Sequence, residues 1–312
     1  MIIDIHYHLM NQGWEHEKLF LSAAKLFAKT FGEAPPDAIK QMLAHFWDPT
    51  GEKAIRFMDA AGIDRCTILV TDWGLGVGEP EVPIEEQNKV CAQIAKRYPD
   101  RLIPFAGIDP RRKNAIELLK RCVEEWGMKG LKFHPDVGFF PDDRAFYPFY
   151  EKVSEYRIPI LSHTGPMFGC LKSKYTQPVY LDAILADFPE INIIAAHMGF
   201  CWWPEMTTIA SVKPNLYGCL TGWQMEAQKD YVKFCQTLRS MMDRMGYDRI
   251  LFGTDGPFVS PAFSTKDWIA AIRDLPKKAP AGIVFTEEEV TGILGGNAAK
   301  LLGISKISPL TF

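Results

Sequence analysis

Eight short apolar runs recur along the chain, at residues 2–8, 66–71, 102–108, 130–134, 158–163, 191–197, 215–221 and 249–255. Each is of strand length, and most stop at a polar residue. Between them lie patterns of helical period. Asp109-Pro110 reads as an N-cap with proline at the first helical position, opening a helix with Ala115, Leu119, Cys122 and Trp126 on one side. Thr176 and Pro178 open a second, with Leu181, Ile184, Leu185 and Phe188 inward, and residues 85–98, 144–156 and 229–245 carry similar patterns. Strands alternating with helices predict a parallel sheet with crossover helices. Eight such units predict an α/β (β/α)8 TIM barrel as one domain over 1–312. A doubly wound sheet is the alternative, since periodicity alone does not close a barrel.

Two stretches interrupt the rhythm. Residues 10–50 are inserted after the first strand and carry Trp14, Phe20, Phe27, Phe31, Phe46 and Trp47. At a barrel's C-terminal face such an insertion is a lid over the site, or else an added helical layer or oligomer contact. The second stretch, 256–281, is rich in proline and aromatics. Gly74-Leu75-Gly76-Val77-Gly78 misses the GxGxxG spacing and reads as a barrel loop rather than a phosphate cradle.

Composition narrows the function classes. Among 312 residues, 35 Lys+Arg balance 38 Asp+Glu to leave −3, which gives no reason to expect nucleic acid as a partner. Seven cysteines without a CxxC pair fit a reducing cytoplasm, and no run is long enough for a membrane span. The expected protein is a soluble, cytoplasmic enzyme for a small molecule.

The histidines carry the chemistry. Asp4, His6 and His8 alternate along the first run, so as a strand they share one face, with Ile3, Ile5 and Tyr7 on the other. His134, His163 and His197 end the fourth, fifth and sixth runs, and Asp255 ends the eighth. In a parallel barrel all these ends open on one face. A single histidine at a strand end is more often structural, but five of the seven at corresponding places, with an aspartate, predict a metal site. His16 and His45 fall in the insertion.

These motifs resemble the amidohydrolase superfamily, specifically the amidohydrolase-2 group that includes aminocarboxymuconate-semialdehyde decarboxylase. The match runs from Ile3-Asp4-Ile5-His6-Tyr7-His8 through Lys132-Phe133-His134-Pro135, Ala196-His197-Met198-Gly199 and Gly253-Thr254-Asp255-Gly256-Pro257 to Gly296-Asn297-Ala298-Ala299. The resemblance implies one divalent metal on His6, His8, His163 and Asp255, with Zn2+ expected and Mn2+ as the other candidate. It implies catalytic roles for Asp255, as acceptor of a water proton, and for His197, beside that water or a developing oxyanion. His134 is assigned to polarising the substrate or binding its carboxylate. Lys132 raises a rival arrangement, since binuclear members bridge two metals with a carboxylated lysine from the fourth strand. The group's members are commonly dimers, so a homodimer is expected.

Trp73, Lys132, Phe168, Trp202, Trp223 and Phe258 follow or end strands and are candidates to line the substrate site. Cys170, Cys201 and Cys219 read as small packing residues. The group contains hydrolases and non-oxidative decarboxylases. A decarboxylase needs a cation for its substrate's carboxylate, with Arg56, Arg111, Arg112, Arg144, Lys172 and Lys174 as candidates. Because His6 is not replaced by the glutamate of some aromatic-acid decarboxylases, the motif favours a hydrolase or the aminocarboxymuconate type, and between them the reading leans to a hydrolase of an amide, ester or lactone. The alternative is a carboxy-lyase of an aromatic or muconate-type acid.

Overall fold

A computed structural model describes residues 1–19, 21, 22, 41 and 43–304. The insertion's Phe20, Phe27 and Phe31 lie outside the described residues. Eight strands form one sheet in chain order, every pair parallel: β1 Ile3–His8, β2 Arg65–Leu69, β3 Leu102–Gly107, β4 Gly130–Phe133, β5 Ile160–Ser162, β6 Ile193–Ala195, β7 Leu216–Cys219 and β8 Ile250–Leu251. The ring is drawn shut past the end of β8. Ile5 N donates to Phe252 O at 3.1 Å, Asp255 N to His6 O at 3.0 Å and His8 N to Gly256 O at 2.6 Å. The predicted (β/α)8 TIM barrel is the observed architecture, and the doubly wound alternative is set aside.

Side-chain alternation sorts each strand into an inner and an outer row. Leu69, Phe105, Leu161, Ile194, Cys219 and Leu251 come from six different strands yet form one cluster, which is the barrel interior. A second, larger cluster joins the alternate residues, such as Ile68, Leu131, Phe133 and Leu216, to the buried faces of the helices. On β1 this alternation breaks. Ile3 pairs with Arg65 and Asp4 with Cys66, but the next pairs are Tyr7 with Ile68 and His8 with Leu69, so β1 holds one extra residue. Such a bulge reverses the facing of the residues beyond it. Ile3 and Ile5 therefore join the interior cluster, whereas Tyr7 joins the outer one. The expectation that Asp4, His6 and His8 share one face fails here. Asp4 instead binds Thr254 beyond β8, at 2.5 Å to Oγ1 and 3.1 Å to N.

The helices follow their local signals with shifts at the ends. The helix Ile84–Arg97 has Glu85 and Glu86 in its first turn and Lys96 and Arg97 in its last, matching the helix dipole. The helix expected to open at Asp109-Pro110 begins at Ala115, because the Asp109 carboxylate accepts from the backbone and guanidinium of Arg111 and holds a turn. The pattern over 229–245 becomes Tyr231–Met245, capped by Asp230 and preceded by a separate helix, Gln224–Lys229. Gly74–Val77, read as loop, forms a single helical turn. In the insertion, Met10 pairs with Trp47 and clusters with Leu43 and Phe46. Among the described residues no helix is long and apolar enough to cross a membrane.

Candidate metal centre and active site

The strand ends bring the histidines together as expected, though not as one uniform ring. His6 and His8 on β1 and Asp255 after β8 form the tight group, with their ligating atoms all within 4.8 Å of one another. His6 Nε2 lies 3.1 Å from His8 Nε2, and Asp255 Oδ1 is 3.5 and 3.4 Å from them. His163 falls outside this compact trio, but its Nε2 is buried without a hydrogen-bond partner among the described residues. Its ring is 4.9 Å from that of His197 and stacks on that of His134 at 4.8 Å. Two imidazoles and a carboxylate in one cluster, beside a third imidazole with an orphaned nitrogen, are a donor set that fits a divalent cation.

What lies behind each ring decides which nitrogen it presents. His6 Nδ1 contacts Thr221 Oγ1 at 3.1 Å and His8 Nδ1 contacts Thr71 Oγ1 at 3.3 Å, leaving both Nε2 atoms turned to the cluster. His197 Nδ1 donates to Thr221 O at 3.0 Å, and His134 Nδ1 lies 3.2 Å from Asp136 Oδ1. Burial pushes His6, His134 and His163 well below the usual imidazole value, His8 below it, and His197 down to about 4. The rings are therefore neutral at ordinary pH, as metal ligation requires. Burial pushes Asp255 up, but the His8 hydrogen bond and attraction to His197, His8 and Lys132 outweigh it and hold the carboxyl below its usual value. Lys132 is fully buried, with Nζ 3.1 Å from His6 Nε2, and burial brings its ammonium down to about 8.

Two of these groups stand in strained backbone. His197 (φ 60°), Met198 (51°), Gly199 (78°) and Phe200 (47°) form a left-handed run directly after β6, and Asp255 (59°) is left-handed after β8. Non-glycine residues there cost about 1–3 kcal/mol each, and such strain clusters at functional sites. The run stacks Phe200 on the His197 ring, at 4.7 Å and 7° between planes. Trp223 Nε1 donates to His197 O at 2.8 Å. Gly222 makes room for the Phe200 ring, since a Cβ there would come within 2.4 Å of it.

The candidate lining residues divide. Trp73 lies 4.2 Å ring to ring from His134, and Phe258 lies 5.2 Å from His8 and 5.9 Å from Phe46 of the insertion. Trp223 is buried behind His197, while Phe168 and Trp202 are half-buried without a ring contact to the histidines. The candidate cations are mostly engaged within the protein. Arg111 grips Asp109, Arg112 grips Asp72 and Glu79, Arg56 pairs with Glu52, and Arg144 and Lys174 lie over Tyr147 and Tyr175. Cys219 Sγ is buried 3.7 Å from His6 Nδ1. Sequence reasoning missed Thr71 and Thr221, although each ends an apolar run, which is the signal that exposed the histidines. Asp136 and Phe200 carried no comparable signal.

Known proteins agree with this architecture. The chain is 24% identical over 283 residues to gamma-resorcylate decarboxylase of Rhizobium sp., covering 77% of this chain and 86% of that one. It is 24% identical over 233 residues to 2-keto-4-carboxy-3-hexenedioate hydratase of Sphingobium sp., covering 64% of this chain and 65% of the hydratase's length. The solved structure of 5-carboxyvanillate decarboxylase from Sphingomonas paucimobilis superposes with a TM-score of 0.71 over 97% of this chain and 99% of that one, at 17% identity. A sequence profile of the amidohydrolase family matches residues 3–304, so the chain belongs to that family.

Proposed function

We propose that the protein is a metal-dependent, non-oxidative decarboxylase of a small hydroxylated aromatic or muconate-type acid. The observation that carries this reading is the compact trio of His6, His8 and Asp255 beside the orphaned Nε2 of His163, in a chain whose curated relatives include decarboxylases. The sequence leaned to a hydrolase. The relatives named for carbon dioxide release and for hydration shift the weight to the carboxy-lyase alternative.

His6, His8, His163 and Asp255 would hold one divalent cation. Manganese is the ion bound in two of the solved decarboxylases, and three imidazoles with a carboxylate suit zinc as well. Such a cation supplies a Lewis-acid anchor for the substrate's carboxylate and neighbouring oxygen. The protein's own groups do the rest. Trp73 and Phe258 wall the ring. His197 keeps its Nδ1 proton on Thr221 O, so the neutral ring takes up a solvent proton on Nε2 only in transit and passes it to the carbon that bears the carboxylate. The carbon–carboxylate bond breaks, its electron pair staying on the protonated carbon, and carbon dioxide leaves. His197 returns to the neutral ring it began as. A positively charged His197 is disfavoured by burial, which assists delivery of that proton. Lys132 serves as a buried cation beneath the substrate, and His134 contacts the substrate at Nε2.

The test is a screen of zinc- and manganese-loaded protein against phenolic and muconate-type acids, following carbon dioxide. Stoichiometric release, lost on chelation and restored by metal, is expected. Hydrolysis of an ester or lactone without carbon dioxide release would return the reading to the hydrolase. Two metal equivalents per chain would overturn the single-metal site and point to a modified Lys132.

A further inference from the structure

His134 is held in a way that has a consequence for substrate choice. The residue is 6% exposed, and its ring is fixed between Trp73 at 4.2 Å and His163 at 4.8 Å. Nδ1 faces both oxygens of the buried Asp136, at 3.2 and 3.4 Å, while Nε2 is buried with no partner among the described residues. A carboxylate only accepts, so the neutral ring must keep its single proton on Nδ1. Nε2 is then a bare acceptor, and an unsatisfied acceptor at this depth asks for a donor from the ligand.

We infer that Asp136 is a positioning residue that fixes the tautomer of His134, and that His134 is a specificity residue selecting substrates that offer a hydroxyl or amino hydrogen. An ether or halogen at the same place would set acceptor against acceptor and leave Nε2 unpaired. Asp136 is itself held by the fold: its backbone carbonyl accepts from Lys172 N at 2.9 Å, tying the turn after β4 to the loop after β5. This inference rests on the proposed reaction for its ligand class, but the tautomer is a property of the protein alone.

The experiment therefore has two arms on zinc-loaded protein. Nitrogen-15 NMR of labelled histidines reads the His134 tautomer in the wild type and in Asp136→Asn, with His134→Phe assigning the signal. The expected wild-type result is a proton on Nδ1. In Asp136→Asn the side-chain amide donates to Nδ1 and the proton moves to Nε2. Calorimetry then compares 2,6-dihydroxybenzoate with 2,6-dimethoxybenzoate as probes. The wild type should favour the dihydroxy acid by about tenfold or more, which is what one unpaired buried polar group commonly costs. His134→Phe should bring the two within about twofold, and Asp136→Asn should reverse the preference. A wild-type proton on Nε2, or an unchanged preference in both variants, overturns the inference. If neither acid binds, the proposed reaction class falls, and the NMR arm alone decides the tautomer.

Discussion

His134 and His197 stand at matching places, past the ends of β4 and β6, yet their surroundings make them different reagents. His197 sits in left-handed backbone, stacked on Phe200, with its Nδ1 proton on the carbonyl of Thr221. His134 has ordinary negative φ (−126°) and leans on a carboxylate. A carbonyl oxygen never donates, so His197 keeps one tautomer whenever it is neutral. A carboxylate can take a proton and turn its hydrogen bond round. One strand end thus offers a fixed proton carrier, and the other an acceptor whose character its neighbour controls. The residue type alone would not have told them apart.

Both rings serve a metal-dependent reaction, so loss of the metal has the largest effect. Removing the metal by chelation, or a ligand by Asp255→Ala, should lower kcat/KM by about three orders of magnitude or more, several kcal/mol of lost stabilisation. Carbon dioxide release should return with manganese or zinc in the chelated wild type and not in the variant. Full activity after chelation would show that neither ring serves a metal-dependent reaction.

The next effect separates the two histidines. His197→Gln should cost about 10²–10⁴ in kcat, the usual range for a lost proton-transfer group, with little change in KM. His134→Phe should act mainly on KM, by about tenfold for a hydroxylated substrate. Steady-state kinetics on both variants tests the split. Equal losses in kcat would merge the two roles.

Much of this was open to sequence reading, and the failures have identifiable causes. Strand ends are fixed by where apolar alternation stops, so His134, His163, His197 and Asp255 could be placed on one face from the chain alone. Alternation also predicted that Asp4 would sit beside His6. A bulge is one unmarked residue, and it turned Asp4 away to Thr254. The left-handed run at 197–200 was equally hidden. Only Gly199 has the freedom such a backbone favours, and its neighbours are held there by stacking and by the Trp223 hydrogen bond. The Arg112 ion pair was hidden too, because its partner Asp72 stands 40 residues away, past the end of another strand.

The Trp223 hydrogen bond acts on the His197 end alone. Trp223→Phe keeps the buried ring but removes the donor to His197 O, an effect of about 1 kcal/mol. A roughly fivefold fall in kcat is expected, with the dihydroxy-over-dimethoxy preference unchanged, because that preference belongs to His134. A changed preference would show that the two strand ends are coupled.

The smallest effect is on pH. Burial raises Asp136 from 3.8 to about 7, so it is ionised above that value and protonated below it. A raised carboxyl contributes stability that is present below its unfolded value and lost as pH rises through about 7. Lowering the pH from about 8 to about 6 should therefore protonate Asp136 while His134 stays neutral, since burial holds that ring well below its usual value. The Asp136 hydroxyl then donates to Nδ1, and the His134 proton moves to Nε2. The preference for the dihydroxy probe should weaken with a midpoint near 7, and melting temperature should rise slightly over the same interval. Asp136→Asn should flatten the preference curve, while the melting-temperature curve keeps the part set by Asp4, which burial also raises to about 7. His197, anchored by a carbonyl that has no second state, should keep its nitrogen-15 signature throughout. If both histidines change together, the carboxylate is not what distinguishes them.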